Sequence, residues 1–183
     1  MRLILASKSL RRIEILKKYG YKFDVIPSNI QEKTKYKRPH LVVMDLAQKK
    51  ANDIANKNPD AIIIGADTIV YCQGKIIGKP KDKNDAKKLL RWQSGKWQSV
   101  YTGIAVICIK KNIKITDYEK SSCYMRKLSD EEIEEISIKH LDKAGGWGVQ
   151  DKNDKLITKI KGSYYNIVGL PIEKLNKILK RIL

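Results

Sequence analysis

Residues 61–66, Ala-Ile-Ile-Ile-Gly-Ala, constrain this chain more than any other stretch. Six successive residues without a polar side chain leave neither face of a strand to water. The segment therefore predicts a strand buried on both faces at the centre of a sheet. Sheets covered on both sides belong to α/β architectures, where helices supply the cover. Asp67 follows at or near the strand's carboxyl end, where α/β sheets usually hold ligands. Gln73-Gly74 then suits a two-residue hairpin turn, which sets Cys72 against Lys75 and, counting back, Thr68 opposite Lys79. An acid, a hydroxyl and an ammonium share one small region in that register. A plain Asp67–Lys79 ion pair is one outcome; an acid placed directly after a buried apolar run favours a working site.

The rest of the chain alternates in the same α/β manner. Apolar runs predict strands at 2–6, 22–26, 61–66, 68–72, 75–77 and 99–109, and helical spacing predicts helices at 10–19, 40–57, 84–93, 129–138 and 171–182. Pro39 and Pro171 suit first turns of helices. With 183 residues and no linker or repeat, residues 1–183 are expected to form one domain around a mixed sheet flanked by helices. The first helix begins at "SKSLRR": Ser9 is the expected N-cap and Gly20 the stop. That start is either a capped, solvated turn or an anion site, since unpaired N–H groups and a partial positive charge gather there. In the helix at 40–57, Val43, Leu46, Ala47, Ala51 and Ile54 form the buried stripe, and Lys50 lies within it. Its ammonium either snorkels outward or points into a site that holds an anion.

Composition removes several function classes. Only His40 and His140 are present, which argues against a Ser-His-Asp triad or a His-rich metal centre. Cys72, Cys108 and Cys123 lie far apart without a C-x-x-C, as expected of a cytoplasmic protein without a zinc knuckle. No apolar run is long enough to cross a bilayer, no signal peptide begins the chain, and no Walker loop occurs. The net charge of +18, from 38 basic and 20 acidic residues, attracts polyanions. Its Lys is spread along the whole length, a pattern closer to compositional bias than to a dedicated nucleic-acid surface. Glu32 and the Arg11-Arg12 pair complete an inventory of cations for a polyphosphate and carboxylates for a hard metal ion. That inventory suits attack of water on a phosphoanhydride.

In order along the chain stand "LASKSLRR", "LAQKKA", "GADTIV", "GKP", "SGKWQSVYTG", "DKAGGWGVQ" and "GSYYNIVGLP". With these segments the chain resembles, over essentially its full length, the Maf family of nucleoside triphosphate pyrophosphatases, also called septum-formation-inhibitor-like proteins. The resemblance implies an α/β fold with two lobes around a nucleotide cleft, as in inosine triphosphate pyrophosphatases. It also implies house-cleaning hydrolysis of a nucleoside triphosphate to the monophosphate and pyrophosphate, assisted by Mg²⁺ or Mn²⁺. Asp67 is then the proton acceptor, with Glu32 and Asp67 at the metal and Ser7, Ser9, Arg11, Arg12, Lys50 and Lys79 around the phosphates. Arg11, Thr68 and Gln150 match the subfamily that prefers dTTP and UTP. The resemblance allows a homodimer and no membrane partner. Competing readings are an inosine/xanthosine-type or 7-methyl-GTP pyrophosphatase, or a nucleic-acid-binding septation regulator. Leu10 stands where the family usually has Pro, Gln31 where Asp is common, and Gln98 where His is common.

Overall fold

In the computed structural model, which describes residues 1–151 and 155–182, the apolar run forms the strand on which the sheet is built. β1 (Leu3–Leu5) pairs parallel both with β2 (Asp24–Val25) and with β3 (Ile62–Cys72), with Leu3 opposite Ile62 and Leu5 opposite Ile64. The strands expected at 61–66 and 68–72 are one, so Asp67 lies inside β3 rather than at its end. β4 (Lys75–Ile77) returns antiparallel with Cys72 opposite Lys75, as the hairpin register predicts. Gln73 and Gly74 both take positive φ, 45° and 81°, the geometry a tight right-twisted hairpin needs. Pairing ends at Ile77, before Lys79.

The remaining strands are β5 (Trp97–Cys108), β6 (Ile113–Met125) and β7 (Ile157–Lys161), giving a mixed seven-stranded sheet in the order β2-β1-β3-β5-β6-β7 with β4 on β3. β6 and β7 are additions to the sequence reading. Both alternate polar and apolar residues rather than forming apolar runs, because one of their faces is wet.

The chain divides into two units. The first comprises Met1–Thr68, Thr102–Glu119 and Gly169–Leu183; the second comprises Ile69–Tyr101 and Lys120–Val168. The first carries α1 (Leu10–Lys18), α2 (Pro39–Ala55) and α6 (Ile172–Ile182). Pro39 opens α2, and Val43, Leu46, Ala47, Ala51 and Ile54 are buried as their spacing requires. Ala47, Ala51 and Ile54 pack with Ile4, Ile63 and Ala105 of the sheet. α2 approaches the sheet so closely that a Cβ at Gly65 would stand 2.2 Å from the Ala47 carbonyl oxygen. A Cβ at Gly103 would meet the Val43 carbonyl oxygen at the same distance. α6, the helix expected at 171–182, buries Ile172, Leu175 and Leu179 along one apolar stripe.

The second unit carries α3 (Lys83–Gln93), α4 (Asp130–Ile136) and α5 (Tyr164–Val168). Asp82 caps α3 by accepting from Asp85 N, and Ser129 and Glu132 form a reciprocal capping box on α4. Leu90, Ile133, Ile136 and Ile167 from these helices pack on Val70, Val100, Cys123 and Met125 of the strands. All three cysteines are buried and unbridged. Among the described residues, no helix is long and apolar enough to cross a membrane.

Because the Ala47 oxygen is backbone, nothing flexible can yield to a methyl group at Gly65. Gly65→Ala is expected to lower unfolding free energy by at least about 1–3 kcal/mol, read as a reduced urea midpoint. An unchanged midpoint would show that α2 can lift from the sheet without cost.

Candidate active site

α2 and β3 together place the first charged group. Gly65 and Gly103 hold α2 against the sheet, and about one turn beyond Ala47 the Lys50 side chain reaches back to Asp67. Lys50 Nζ donates to Asp67 Oδ1 at 2.7 Å and pairs with Glu32 Oε1, also at 2.7 Å. Both Asp67 and the Lys50 stem are sheltered, with 8% and 12% of their side chains exposed, whereas Glu32 is half exposed. The sequence left two fates for the Lys50 ammonium, and the structure selects the inward one.

Burial pushes the Asp67 carboxyl above its ordinary value. The Lys50 charge and hydrogen bond and the Arg12 charge oppose that shift, while Glu32 adds to it. A carboxyl whose pKa is raised in this way is a stronger base than a solvated aspartate, which suits a proton acceptor.

The start of α1 supplies the second group. Ser9 occupies the N-cap position, but its side chain makes no capping bond. The Ser7 hydroxyl instead accepts from Ser9 N at 3.3 Å and from Arg12 Nη1 at 3.0 Å. Arg12 spreads across three partners: Ser7, Thr68 Oγ1 through Nη2 at 3.1 Å, and the Gly169 carbonyl through Nε at 2.8 Å. Thr68 Oγ1 also lies 3.0 Å from Thr102 Oγ1. Arg12 is thus a clamp joining α1, β3 and the turn before α6. Burial lowers its pKa and Asp67 opposes the change; an arginine stays charged throughout. Arg11, half buried, adjoins it on the same first turn.

Ser7, Arg12, Glu32, Lys50, Asp67 and Thr68 are therefore brought together within the first unit by contact or charge, with Ser9 and Arg11 beside them. Thr102 and Gly169 join that network without having been singled out. Their signals, a Thr in "VYTG" and a Gly in "VGLP", are too ordinary to read alone.

Lys79 and Gln150 belong to the second unit, on two loops that are tied together. Gly145 N donates to the Gly78 carbonyl at 2.9 Å, joining the "GKP" and "AGGWGVQ" segments. Buried Gln93 of α3 braces the second loop. Its amide donates to the Gly145 carbonyl at 2.7 Å and accepts from Trp147 Nε1 at 2.8 Å. Gly145 takes φ +80°, and a Cβ there would stand 2.5 Å from Trp147 Nε1. Sequence reasoning missed Gln93, because a glutamine on a helix carries no periodic signal.

A model of the family described as Maf-like protein matches residues 2–182. The chain belongs to the Maf family. It is 53% identical to the dTTP/UTP pyrophosphatase of Elusimicrobium minutum, with 98% of each chain covered. It is 44% identical to that of Caldicellulosiruptor bescii over 99% of this chain and 94% of that one, and 43% identical to one from Bacillus anthracis over 98% and 95%. The Ham1 protein of Staphylococcus aureus shares the fold, with a TM-score of 0.57 at 12% identity over 99% of both chains. All seven Maf segments read from the sequence fall inside the matched range.

The divalent metal associated with the Maf resemblance can be tested against the residues present. Among the described residues, no three His, Cys, Asp or Glu side chains cluster as a metal site. Glu32 and Asp67 nonetheless converge on one nitrogen, each at 2.7 Å. Two carboxylates and an approaching triphosphate are the donor set that Mg²⁺ uses, so the residues fit.

The charges around Asp67 act on its titration with opposite signs. Lys50→Met removes a stabiliser of the anion and should move the Asp67 titration to higher pH, whereas Glu32→Gln removes a repulsion and should move it lower. Carboxyl ¹³C shifts of Asp67 followed against pH in the two variants report this without reliance on activity. Shifts of the same sign would contradict the arrangement.

Proposed function

We propose that this chain is a nucleoside triphosphate pyrophosphatase of the dTTP/UTP type, acting in the cytoplasm to remove unwanted nucleotides. The observation that carries the reading is the buried Asp67, held by Lys50 beside Glu32 and Arg12, in a chain whose near-full-length relatives are named dTTP/UTP pyrophosphatases. Water attacks the α-phosphorus, the α–β anhydride breaks, and the monophosphate and pyrophosphate leave. Asp67 takes the proton from the attacking water, a role that its raised pKa supports.

Glu32 and Asp67 would hold Mg²⁺ or Mn²⁺, whose charge offsets that of the triphosphate oxygens. Once Lys50 gives up its carboxylate partners, its ammonium is available to phosphate oxygens. Arg11, Lys79 and the uncapped first turn of α1, with Ser7 and Ser9, bind the remaining phosphate charge. Arg12 contributes mainly by fixing Ser7 and Thr68, since three of its donors are already engaged.

Base preference rests on Arg11, Thr68 and Gln150. A glutamine amide offers a donor and an acceptor, matching the alternating carbonyl and N–H edge of uracil or thymine. Gln150 is exposed; a base that covers it and leaves its amide unpaired would cost about 1–3 kcal/mol for each group so buried, a tenfold to hundredfold preference.

Hydrolysis of dTTP in ¹⁸O-water is expected to yield dTMP and pyrophosphate, with the label in dTMP. Diphosphate and orthophosphate as first products would overturn the reading. Asp67→Asn should lower kcat by about 10²-fold or more while KM changes less; near-normal turnover would reduce Asp67 to an ion-pair partner.

Competition among triphosphates tests the specificity separately. kcat/KM should be higher for dTTP and UTP than for ATP or 7-methyl-GTP, and Gln150→Glu should narrow the margin. A wild-type preference for 7-methyl-GTP would exclude the pyrimidine assignment and leave the pyrophosphatase assignment standing.

A further inference from the structure

Among the described residues, the second unit has one sheet face covered by its helices and one face that its helices do not cover. Val70, Val100, Cys123 and Met125 point into the core with α3, α4 and α5. Alternation along the strands therefore turns Tyr71, Tyr101, Ser122 and Tyr124 to the other side. Cross-strand register adds lysines there: Lys161 stands opposite Ser122, and Lys159 opposite Tyr124.

Open antiparallel faces are usually mixed in charge, but this one is not. The strand segments 69–72, 75–77, 97–101, 120–125 and 157–161 turn Lys120, Lys159 and Lys161 to it and hold no Asp or Glu; Lys75, opposite core-facing Cys72, lies on the helix-covered side against the Trp92 ring. The carboxylates of the unit instead lie on its helices and loops, as at Asp82, Asp85, Asp130 and Glu132.

The rings and ammonium groups on this face form two contacting groups. Lys161 Nζ lies 5.0 Å from the centre of the Trp97 ring, which contacts Tyr124 at 5.6 Å, and Lys159 lies 5.8 Å from Tyr124. Nearby, Lys120 stands 5.7 Å from Tyr101, whose ring meets Tyr71 edge-on at 6.4 Å. A pocket of about 440 Å³ opens between them, lined by Tyr71, Trp97, Ser99, Ser122 and Lys161. Trp97 is 43% exposed, so much of its ring faces solvent beside these lysines.

We infer that this face is a docking surface for single-stranded nucleic acid. Exposed Trp97 and the partly exposed tyrosines beside it offer stacking platforms to bases of any identity, and flanking lysines track the phosphates. Charge complementarity selects this occupant over a second copy of the chain, because self-association through the face would set lysine against lysine. Duplexes are disfavoured because their bases are not free to stack. Strand register brings Lys120, Lys159 and Lys161, apart in sequence, onto this one face.

Fluorescence anisotropy with 5′-labelled single strands of about 15 nucleotides, one of DNA and one of RNA, tests the inference against a duplex of the same sequence. Both single strands should bind more tightly than the duplex, and the stronger of the two identifies the natural class. Trp97→Ala should weaken binding about tenfold with an unchanged salt slope, and Trp97→Phe should retain it. Lys159→Gln/Lys161→Gln should reduce the slope of log K against log salt by about 1.4. The pyrophosphatase activity of all three variants should match the parent, which also reports folding.

Full affinity in Trp97→Ala, equal binding of the duplex, or absence of binding would overturn the proposal. So would a dimer in sedimentation that Trp97→Ala dissociates, which would assign the face to a second copy.

Discussion

The contact on which the candidate site depends is the one between α2 and the sheet, made where two glycines leave no side chain in the way. At Gly65 and Gly103 the helix backbone rests directly on the strands, with the Ala47 and Val43 carbonyl oxygens where Cβ atoms would otherwise stand. Alanines at 47 and 51 continue the close packing on the helix side. Only with the helix this low can a lysine from its inward stripe meet an aspartate on the strand beneath. A larger residue at either glycine would raise the helix and leave two charges sheltered without partners, which costs far more than a cavity.

That pairing also explains how a charged residue can stand in the middle of a central strand. Asp67 would be expected to end β3, and the apolar run does stop there. The strand instead continues to Cys72, because Lys50 answers the charge at 2.7 Å and Arg12 adds a second positive field. The Lys50 ammonium joins the two carboxylates that suit a divalent ion, so cation and lysine compete for the same oxygens. Binding of a metal and a triphosphate would free Lys50 from one set of oxygens and offer it another. The site is thus held together before substrate arrives by the same charges that would bind it.

The sequence was most informative where local physics and tertiary role coincide. The doubly apolar run, the Gln73-Gly74 turn with its register, and the lysine in an apolar stripe each stated something that the structure bears out. β6 and β7 were invisible because their outward residues are Lys, Ser, Thr and Tyr, because Cys123 and Met125 fill inward positions of β6, and because β7 is five residues long with its two isoleucines set apart by a register shift. Likewise the clamp formed by Arg12 could not be read. Two of its partners, Thr68 and Gly169, lie 56 and 157 residues away, and one of these is a backbone carbonyl that any residue could have supplied.

The second unit shows the same principle in its loops. Lys79 and Gln150 stand on irregular backbone, which by itself would hold neither in a fixed place. The backbone hydrogen bond from Gly145 N to the Gly78 carbonyl ties one loop to the other, and Gln93 anchors the pair to α3 through a carbonyl and an indole N–H. Gln93, Gly145 and Trp147 are buried in this brace and their polar groups are answered within it, so removing Gln93 leaves its partners unpaired. The positive φ of Gly145, with Trp147 against the place of its missing Cβ, makes the turn attainable for glycine and strained for any other residue. On the proposed role of Gln150, such support matters, because a base preference of about tenfold to a hundredfold would disappear if its amide could swing away.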